Sequence, residues 1–514
     1  MISKNFIPFI SNENFYGVNT KDTNENMGDG EWHEDSINIM SDPQGALGSR
    51  LGFTSLTTAS IGAAIAWIGF YQFKVHSGGT TTSHYLGGGN DGKIHEFAAS
   101  AYTQLFTGLA STSVDHRLSF FTLNNQCLIM NGQDIPLVYS GTGSAATFAT
   151  SVTADFGIEW QRYGWMHSTV DKRLVYYSDQ DDPDSAYTNF LNFDYDPDEV
   201  TALSKQGDDM LVGKTSGLYR VQFRGTIPLF QIYKLQARRG PVNHWVMKEL
   251  PDGRVAFLAN DFNFWMAAGD SVVAVGDNIR KYVKAGVAAR LIYAVSGLMQ
   301  ERNQYWCSFT RLAGATANDR TVVMDYSRPY TDKWGKLQFP WFIYSIGAAC
   351  FSEITLSGRA WLYSGAYAGK MYKQDSGTND DGAAFVSFYR GKAFSHGDPT
   401  LDKKYDNIEL ELENAGDWDL DISFVVDQNA NTQKLITQNL LTGVGAVALF
   451  DVAKFDEDNF SAESDATTRR EINRQGKTIY TTFGTDGLDE SWQINQYIIH
   501  AKPLRRMSRA REMA

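Results

Sequence analysis

The residues best placed to do chemistry lie in NIELELENAGDWDLDISF. There, strand alternation puts Glu409, Glu411 and Glu413 on one face and Ile408, Leu410 and Leu412 on the other. A second strand repeats the pattern, with Asp419 and Asp421 alternating against Leu420, Ile422 and Phe424. A turn over 414–418 would join the two as a hairpin and set Glu413 beside Asp419 and Glu411 beside Asp421. Like charges facing each other across a sheet cost from a few tenths to ~1 kcal/mol per pair, so stability alone does not select them. Two readings stay open: a wet sandwich face that tolerates the repulsion, or a wall of fixed negative charge with a use.

Other patterns imitate known chemistry and fail on context. Gly87, Gly89 and Gly92 have the spacing of a dinucleotide-binding fingerprint, but KIHEF follows where a helix must begin. A glycine-rich hairpin turn is expected instead. GDDMLVGKT, from Gly207, puts five residues between its glycines where a phosphate-binding loop has four. Two of them are Leu211 and Val212, strand residues that cannot cradle phosphate with backbone N–H groups. The acidic loops SDQDDPDSA (from Ser178) and FDYDPDEV (from Phe193) offer oxygens for calcium, yet lack the sixth-position glycine and twelfth-position glutamate of a calcium loop. Solvated inter-strand loops are expected there. The nine histidines are scattered, and no GxSxG elbow occurs. The residues therefore point to no catalytic group, cofactor or metal ion.

Positioning falls to a repeated hairpin. A short apolar run, a Gly/Asp/Asn turn and an aromatic run recur seven times, starting at His84, Cys127, Arg173, Met210, Val255, Thr321 and Ala360. The starts are 43, 46, 37, 45, 66 and 39 residues apart, and most match the roughly 40–50 residues of a four-stranded propeller blade. A lone hairpin cannot bury its apolar face, so such units pack against one another. The expectation is an all-β chain with a β-propeller of about seven blades; a pair of ordinary sandwiches is the alternative that strand spacing permits. Two carboxylates from different blades could meet at such a propeller's channel and cleave a glycan. That reading stays open, although the Ser-x-Asp-x-Gly-aromatic repeat of sialidases is absent.

Around the propeller the composition changes. Residues 1–50 read as an extended N-terminal arm, because Asn, Asp, Glu and Gly dominate from Asn12 to Asp35 and no period is visible. The propeller is expected over 51–380, ending near the SGTNDDG turn, with an antiparallel β-sandwich over 381–514. The uncharged stretch from Leu51 to Phe73 is rich in Thr, Ser and Gly and reads as buried first-blade strands rather than a membrane span. A basic tail carries Lys502, Arg505, Arg506, Arg509 and Arg511. It reads as a solvated end or as a contact with an acidic neighbour or DNA. The net charge of −13 argues against a general nucleic-acid binder. Three cysteines without metal spacing, and no apolar leader, point to assembly in a reducing cytoplasm.

Three places together resemble the tail nozzle, or tail-stabilisation, proteins of tailed bacteriophages. DSINIMSDPQGALGSRLGF is similar to that family's N-terminal signature, whose positions fall here on Asn38, Gly45, Arg50 and Gly52. The stretch from Arg238 to Ile279 resembles the middle segment, opened by a glycine. ERNQYWCSF, TVVMDYSRPYTDKW and KYDNIELEL then follow in the family's order. The sequence departs from the pattern after Arg50, where the family often has a proline, and in its 66-residue interval. The resemblance implies a virion protein of the tail, not an enzyme. It would form a homo-oligomeric ring, typically of six copies, beneath portal and adaptor connector proteins. Such a ring closes the genome channel, carries other tail proteins and touches DNA in transit, with no membrane involved. On that reading Glu409, Glu411, Glu413, Asp419 and Asp421 are the channel-lining candidates, since an acidic wall repels phosphate and lets DNA slide. A propeller that binds or cleaves cell-surface glycans is the alternative.

Overall fold

The computed structural model describes residues 7–12, 15–57, 59–98, 101–148, 150, 152–356, 358–413, 415–440 and 465–504. The chain divides into two compact units. One comprises Phe53–Ser327 and Ser345–Ser376; the other comprises Met1–Gly52, Arg328–Tyr344 and Gly377–Ala514.

The first unit is a seven-bladed β-propeller. Blades one to four are antiparallel four-stranded sheets that start on Trp67–Ser77, Ser119–Leu123, Ala154–Trp160 and Val200–Gln206. Blade five starts on Lys248–Glu249 and is again four-stranded. Blade six contributes Val295–Met299, Gln304–Phe309 and Arg320–Asp325 to this unit. Blade seven is built from Cys350–Leu356, Arg359–Gly365 and Met371–Gln374. Its outer strand comes from the other end of the sequence: Phe53–Ser55 pairs with Met371–Gln374. The seven inner strands touch in cyclic order, blade seven against blade one.

Within a blade, burial peaks at the second strand and falls toward the outer edge. Second strands such as Tyr163–Ser168 and Gln304–Phe309 are buried at every residue, whereas the outer strand Asn189–Asn192 is mostly exposed. This is why the second and third strands carry the clearest apolar repeat. The cores lie between blades. Ile68, Phe73 and Leu86 of blade one pack on Cys127, Ile129 and Tyr139 of blade two, and Trp67 and Phe70 pack on Cys350 and Tyr363 of blade seven. Each such side chain contributes about 1.5–3 kcal/mol by leaving water, so no blade is stable without its neighbour. Five of the seven repeats are second-to-third-strand hairpins. The repeat at Arg173 is a third-to-fourth-strand pair, and that at Thr321 leaves this unit after its first strand. The 66-residue interval holds an inserted helix, Arg280–Lys284, and a 3-10 segment, Ala288–Tyr293. The uncharged stretch after Leu51 is shared by two blades, seven and one, rather than belonging to the first alone. Among the described residues no helix is long and apolar enough to cross a membrane.

The second unit is an antiparallel sandwich. One sheet runs Ile39–Ser41, Leu47–Ser49, Gln493–Pro503, Lys403–Glu413 and Asp465–Gly476, with Ile7–Asn12 also paired to Gln493–Pro503. The other runs Ser387–Arg390, Ile479–Thr485, Asp419–Val426 and Lys434–Asn439. Tyr497 of the first meets Phe483 of the second with ring centroids 5.4 Å apart.

Two expectations are corrected here. Residues 1–50 are not an extended arm: from Phe15 onward they are woven into the sandwich. Phe15 packs edge-on against Tyr389, and Trp32 is fully buried against Phe342 and Tyr389. The acid-rich composition misleads because its polar groups are satisfied within this unit. Glu31 accepts from Asn19, the Gly28 N–H and Tyr330. The propeller and sandwich also do not meet at residue 380. The sandwich unit takes in Arg328–Tyr344 as well as the chain from Gly377. Of the basic tail, Lys502 ends the last strand, while Arg505, Arg506, Arg509 and Arg511 lie outside the described residues.

Candidate functional site

Three of the four signature residues meet at one buried node in the sandwich unit, and the fourth builds the turn that brings them there. Strands Ile39–Ser41 and Leu47–Ser49 form a hairpin. Gly45 closes it at a φ of 98°, a conformation that favours glycine. Asn38 and Arg50 stand at the hairpin's open end, where the Arg50 N–H donates to the Asn38 carbonyl at 2.9 Å. Asn38 adopts a φ of 57°, which asparagine tolerates better than most residues. Its amide donates to the Val386 carbonyl at 2.7 Å and accepts from Arg50 Nε at 2.9 Å. The Arg50 guanidinium is almost wholly buried. It grips Asp380 with two bonds of 2.8 and 2.7 Å, donates to the Leu51 carbonyl, and lies 3.9 Å from the Phe385 ring centroid. Gly52 passes so close to the chain beyond that a Cβ would lie 1.8 Å from the Asn379 carbonyl oxygen. Asp380 escaped sequence reasoning as a partner, although it sits in the SGTNDDG turn that marked a boundary. The node is largely buried and is taken up by its own internal hydrogen bonds, so its role is to fix the fold.

The carboxylate stripe is arranged differently from the expected hairpin. Lys403–Glu413 and Asp419–Val426 belong to different sheets, so Glu413 does not face Asp419, nor Glu411 Asp421. Glu409 stands opposite Arg469 and Ile498, Glu411 opposite Thr467 and Gln496, Asp419 opposite Asn439, and Asp421 opposite Thr437 and Gly484. Glu409 has Arg469 at 3.8 Å and His500 Nε2 at 3.2 Å, and Asn439 donates to Asp419 at 3.2 Å. The two expected pairings are absent, and Glu409, Glu411, Asp419 and Asp421 have neutral or basic residues opposite them, whereas Glu413 stands opposite Asp465. The alternation itself is present, since Ile408, Leu410, Leu412, Leu420, Ile422 and Phe424 are fully buried. With both apolar sets turned inward, the glutamates and the aspartates cover opposite outer faces of the sandwich.

The imitation motifs have structural work of their own. Gly87 to Gly89 lie inside a strand rather than in a turn: a Cβ on Gly88 would meet Leu118 of the next blade at 2.1 Å. Lys214, of the phosphate-loop imitation, is fully buried and donates to the Phe193 and Asp196 carbonyls at 2.6 and 3.0 Å. It also pairs with the Asp196 carboxylate at 2.5 Å, which occupies the second acidic loop's central oxygen donor. Burial raises the Asp196 carboxyl, but hydrogen bonds from Lys214, Tyr219 and Lys234 outweigh it and hold it at about 2. In the first acidic loop Asp181 is paired with Arg162, and Asp184 accepts from Gln126. Among the described residues no three His, Cys, Asp or Glu side chains group as metal ligands would.

Sequence reasoning missed the propeller axis. The 3-10 turn His244–Val246 enters from the chain before blade five. The Asn243 side chain fixes it by accepting from the Val246 N–H and donating to the Ile292 and Ala294 carbonyls. Trp245 then crosses the axis and donates from its indole N–H to the Leu118 carbonyl of blade two, at 3.1 Å. The inserted segment Ala288–Tyr293 ties several blades together. Its Arg290 grips Asp115 before blade two, and Asn318 of blade six donates to the Tyr293 carbonyl. Beside the turn lies a cavity of ≈ 280 Å³ whose walls include Tyr71, His244, Trp245, Lys248 and Glu353. Glu353 is the single carboxylate on that wall, whereas glycoside hydrolysis needs two flanking the bond. The sequence signal was present: an Asn-His-Trp triplet in a connection, after a glycine. A Cβ on that Gly240 would lie 1.7 Å from the Lys214 carbonyl oxygen.

No protein-family model and no curated protein matches the chain. Solved structures similar to it are β-propellers. YCF48 bound to a D1 peptide is 10% identical, with a TM-score of 0.37 over 63% of this chain and 97% of that one. BBS1N in complex with ARL6DN is 10% identical, with a TM-score of 0.42 over 64% and 98%. The propeller domain of Cps50 (Swd1) from Myceliophteria thermophila is 10% identical, with a TM-score of 0.41 over 63% and 99%. These likenesses concern fold and carry nothing about function.

Proposed function

We propose that the chain is a structural subunit of a tailed-bacteriophage virion. It would be one copy of a closed ring, typically six-fold, at the head–tail junction or tail nozzle. Its partners would be further copies of itself, the portal and adaptor connector proteins and other tail proteins. Assembly would take place in the host cytoplasm, and DNA would be retained by the ring and later ejected through it. The observation that carries this reading is the Asn38–Arg50–Asp380 node. Asn38, Gly45, Arg50 and Gly52 are the positions on which the family resemblance rests, and all four serve one hairpin and one buried ion pair. A shared signature that sets a fold, rather than a reaction, suits a structural protein. Native mass spectrometry of the protein at rising concentration, and copy counting on particles, test it. A closed ring of six is expected. One copy per particle, or an open filament, would refute the ring, and hydrolysis of a cell-surface polysaccharide by the pure protein would replace it with the glycan reading.

A further inference from the structure

We propose that the axial cavity of the propeller is a binding site for a small carboxylate, held by Lys248 and His244 and oriented by Glu353. Lys248 lies on the inner strand of blade five, and its ammonium reaches the cavity wall with no hydrogen bond or ion pair to any described residue. A charged amine without a counter-ion in an enclosed site is costly. The acid on the same wall is Glu353, on the inner strand of blade seven. It does not close on Lys248; instead its Oε2 accepts from Gln300 at 2.5 Å. Burial lowers Lys248 against the opposing pull of Glu353, and burial raises Glu353 against the pull of Lys248 and Gln300. In both groups burial is the larger influence.

His244 supplies the second donor. Its ring is stacked on Phe156 with centroids 4.7 Å apart, and its Nδ1 accepts from the Leu203 N–H at 3.4 Å. Burial, then Lys248 and His167, press it down to about 3, so the ring is neutral and its proton sits on Nε2. The wall thus offers an ammonium and an imidazole N–H, two donors for the two oxygens of a carboxylate. A phosphate dianion fits less well, because a second negative charge would face Glu353 with one cation to balance it. The free oxygen of Glu353 is an acceptor for a hydroxyl or ammonium beside the bound carboxylate, which favours hydroxy or amino acids over plain ones. Entry lies past Tyr71 and Glu353, whose side chains are shared with an outer hollow lined by Lys74, His76 and Asn125. This site is independent of the ring reading, and its failure would leave that reading untouched.

Calorimetric titration of the full-length protein with sodium acetate, sodium glycolate and acetamide, at constant ionic strength, tests the proposal. Glycolate is expected to bind once per chain with a dissociation constant of order 1 mM; acetate should bind more weakly and acetamide not at all. Lys248→Met should weaken glycolate at least tenfold. Glu353→Gln, which leaves Lys248 in place, should tighten acetate by removing a competing charge. An acetylated tripeptide with a free C-terminus completes the series. Binding tighter than glycolate would name a protein chain end as the carboxylate's source, and weaker binding a free metabolite. Equal binding of acetamide, unchanged binding by Lys248→Met, or no response of acetate to Glu353→Gln would each overturn the site.

Discussion

Replacing Arg50 with methionine tests whether the signature node holds the sandwich together. Methionine keeps much of the arginine stem's packing and deletes the four hydrogen bonds to Asn38, Leu51 and Asp380. The guanidinium is 1% exposed and Asp380 16% exposed, so the carboxylate left behind is shielded from full rehydration. Breaking a buried pair from one side costs about 3–5 kcal/mol. For a unit of this size each kcal/mol moves the melting temperature by about 2–4 °C, so the sandwich transition should fall by about 10 °C. Two units unfolding in one chain need not share a transition, so calorimetry should resolve the sandwich's own peak. Asp380→Asn alone should also destabilise, and the double variant should recover part of the Arg50→Met loss because no uncompensated charge remains. Arg50→Lys keeps the charge but loses the two-pronged grip and should fall between. A loss below about 3 °C, or strict additivity of the two changes, would refute the reasoning.

Trp245→Phe keeps a ring on the axis but removes the bond to Leu118, and should lower the propeller's denaturation midpoint by the equivalent of about 1 kcal/mol; Trp245→Ala should lower it further, and an unchanged midpoint in both would show that the turn does not brace the ring. Asp196 is held below its unfolded value near 3.9, so its contribution is present above that value and lost as pH falls through about 2. Asp196→Asn should flatten the acid limb of a stability–pH curve across that window, and an unaltered limb would count against the Lys214 pairing. On the ring reading, Glu411→Lys with Glu413→Lys should permit assembly yet slow DNA ejection, more at low salt than at high; ejection at the normal rate in complete particles would leave that face as plain solvated surface.

The propeller was legible because its signal is local. In five of the blades the second and third strands are adjacent in sequence and largely apolar, so each of these blades writes an apolar–turn–aromatic repeat. Alternation likewise fixed which faces of Lys403–Glu413 and Asp419–Val426 turn inward. Pairing was not legible, because partners lie far along the chain: Lys403–Glu413 pairs with Asp465–Gly476 and Gln493–Pro503, not with the strand that follows it. The same distance hid the Arg50–Asp380 pair and the Phe53–Ser55 strand that completes blade seven. The arm was misjudged for a different reason. Single aromatics such as Phe15 and Trp32 leave no period, yet each is buried in the sandwich core. Nothing periodic marks Lys248 and Glu353, which share a wall only because inner strands of blades five and seven converge on one axis.

The axis constrains how any genome channel could be built. Trp245 bridges from the chain before blade five to blade two, and the cavity beside it is ≈ 280 Å³. A duplex cannot pass through such a space. If copies of this chain surround DNA, the conduit is the space they enclose together, and its wall is made from outer surfaces. That bears directly on the carboxylates. Because Glu409, Glu411 and Glu413 and the pair Asp419 and Asp421 cover opposite faces of one sandwich, a single lumen can be faced by one set and not both. Of the two, the aspartate face also carries exposed Val386 and Leu435 around a shallow groove that includes Asp421, an apolar admixture that suits contact with protein. The glutamate face has Arg469 partly neutralising Glu409, which leaves Glu411 and Glu413 as its net charge. Glutamate-to-lysine changes at those two positions therefore report on a lumen, whereas lysine at Asp421 would be read out in subunit association.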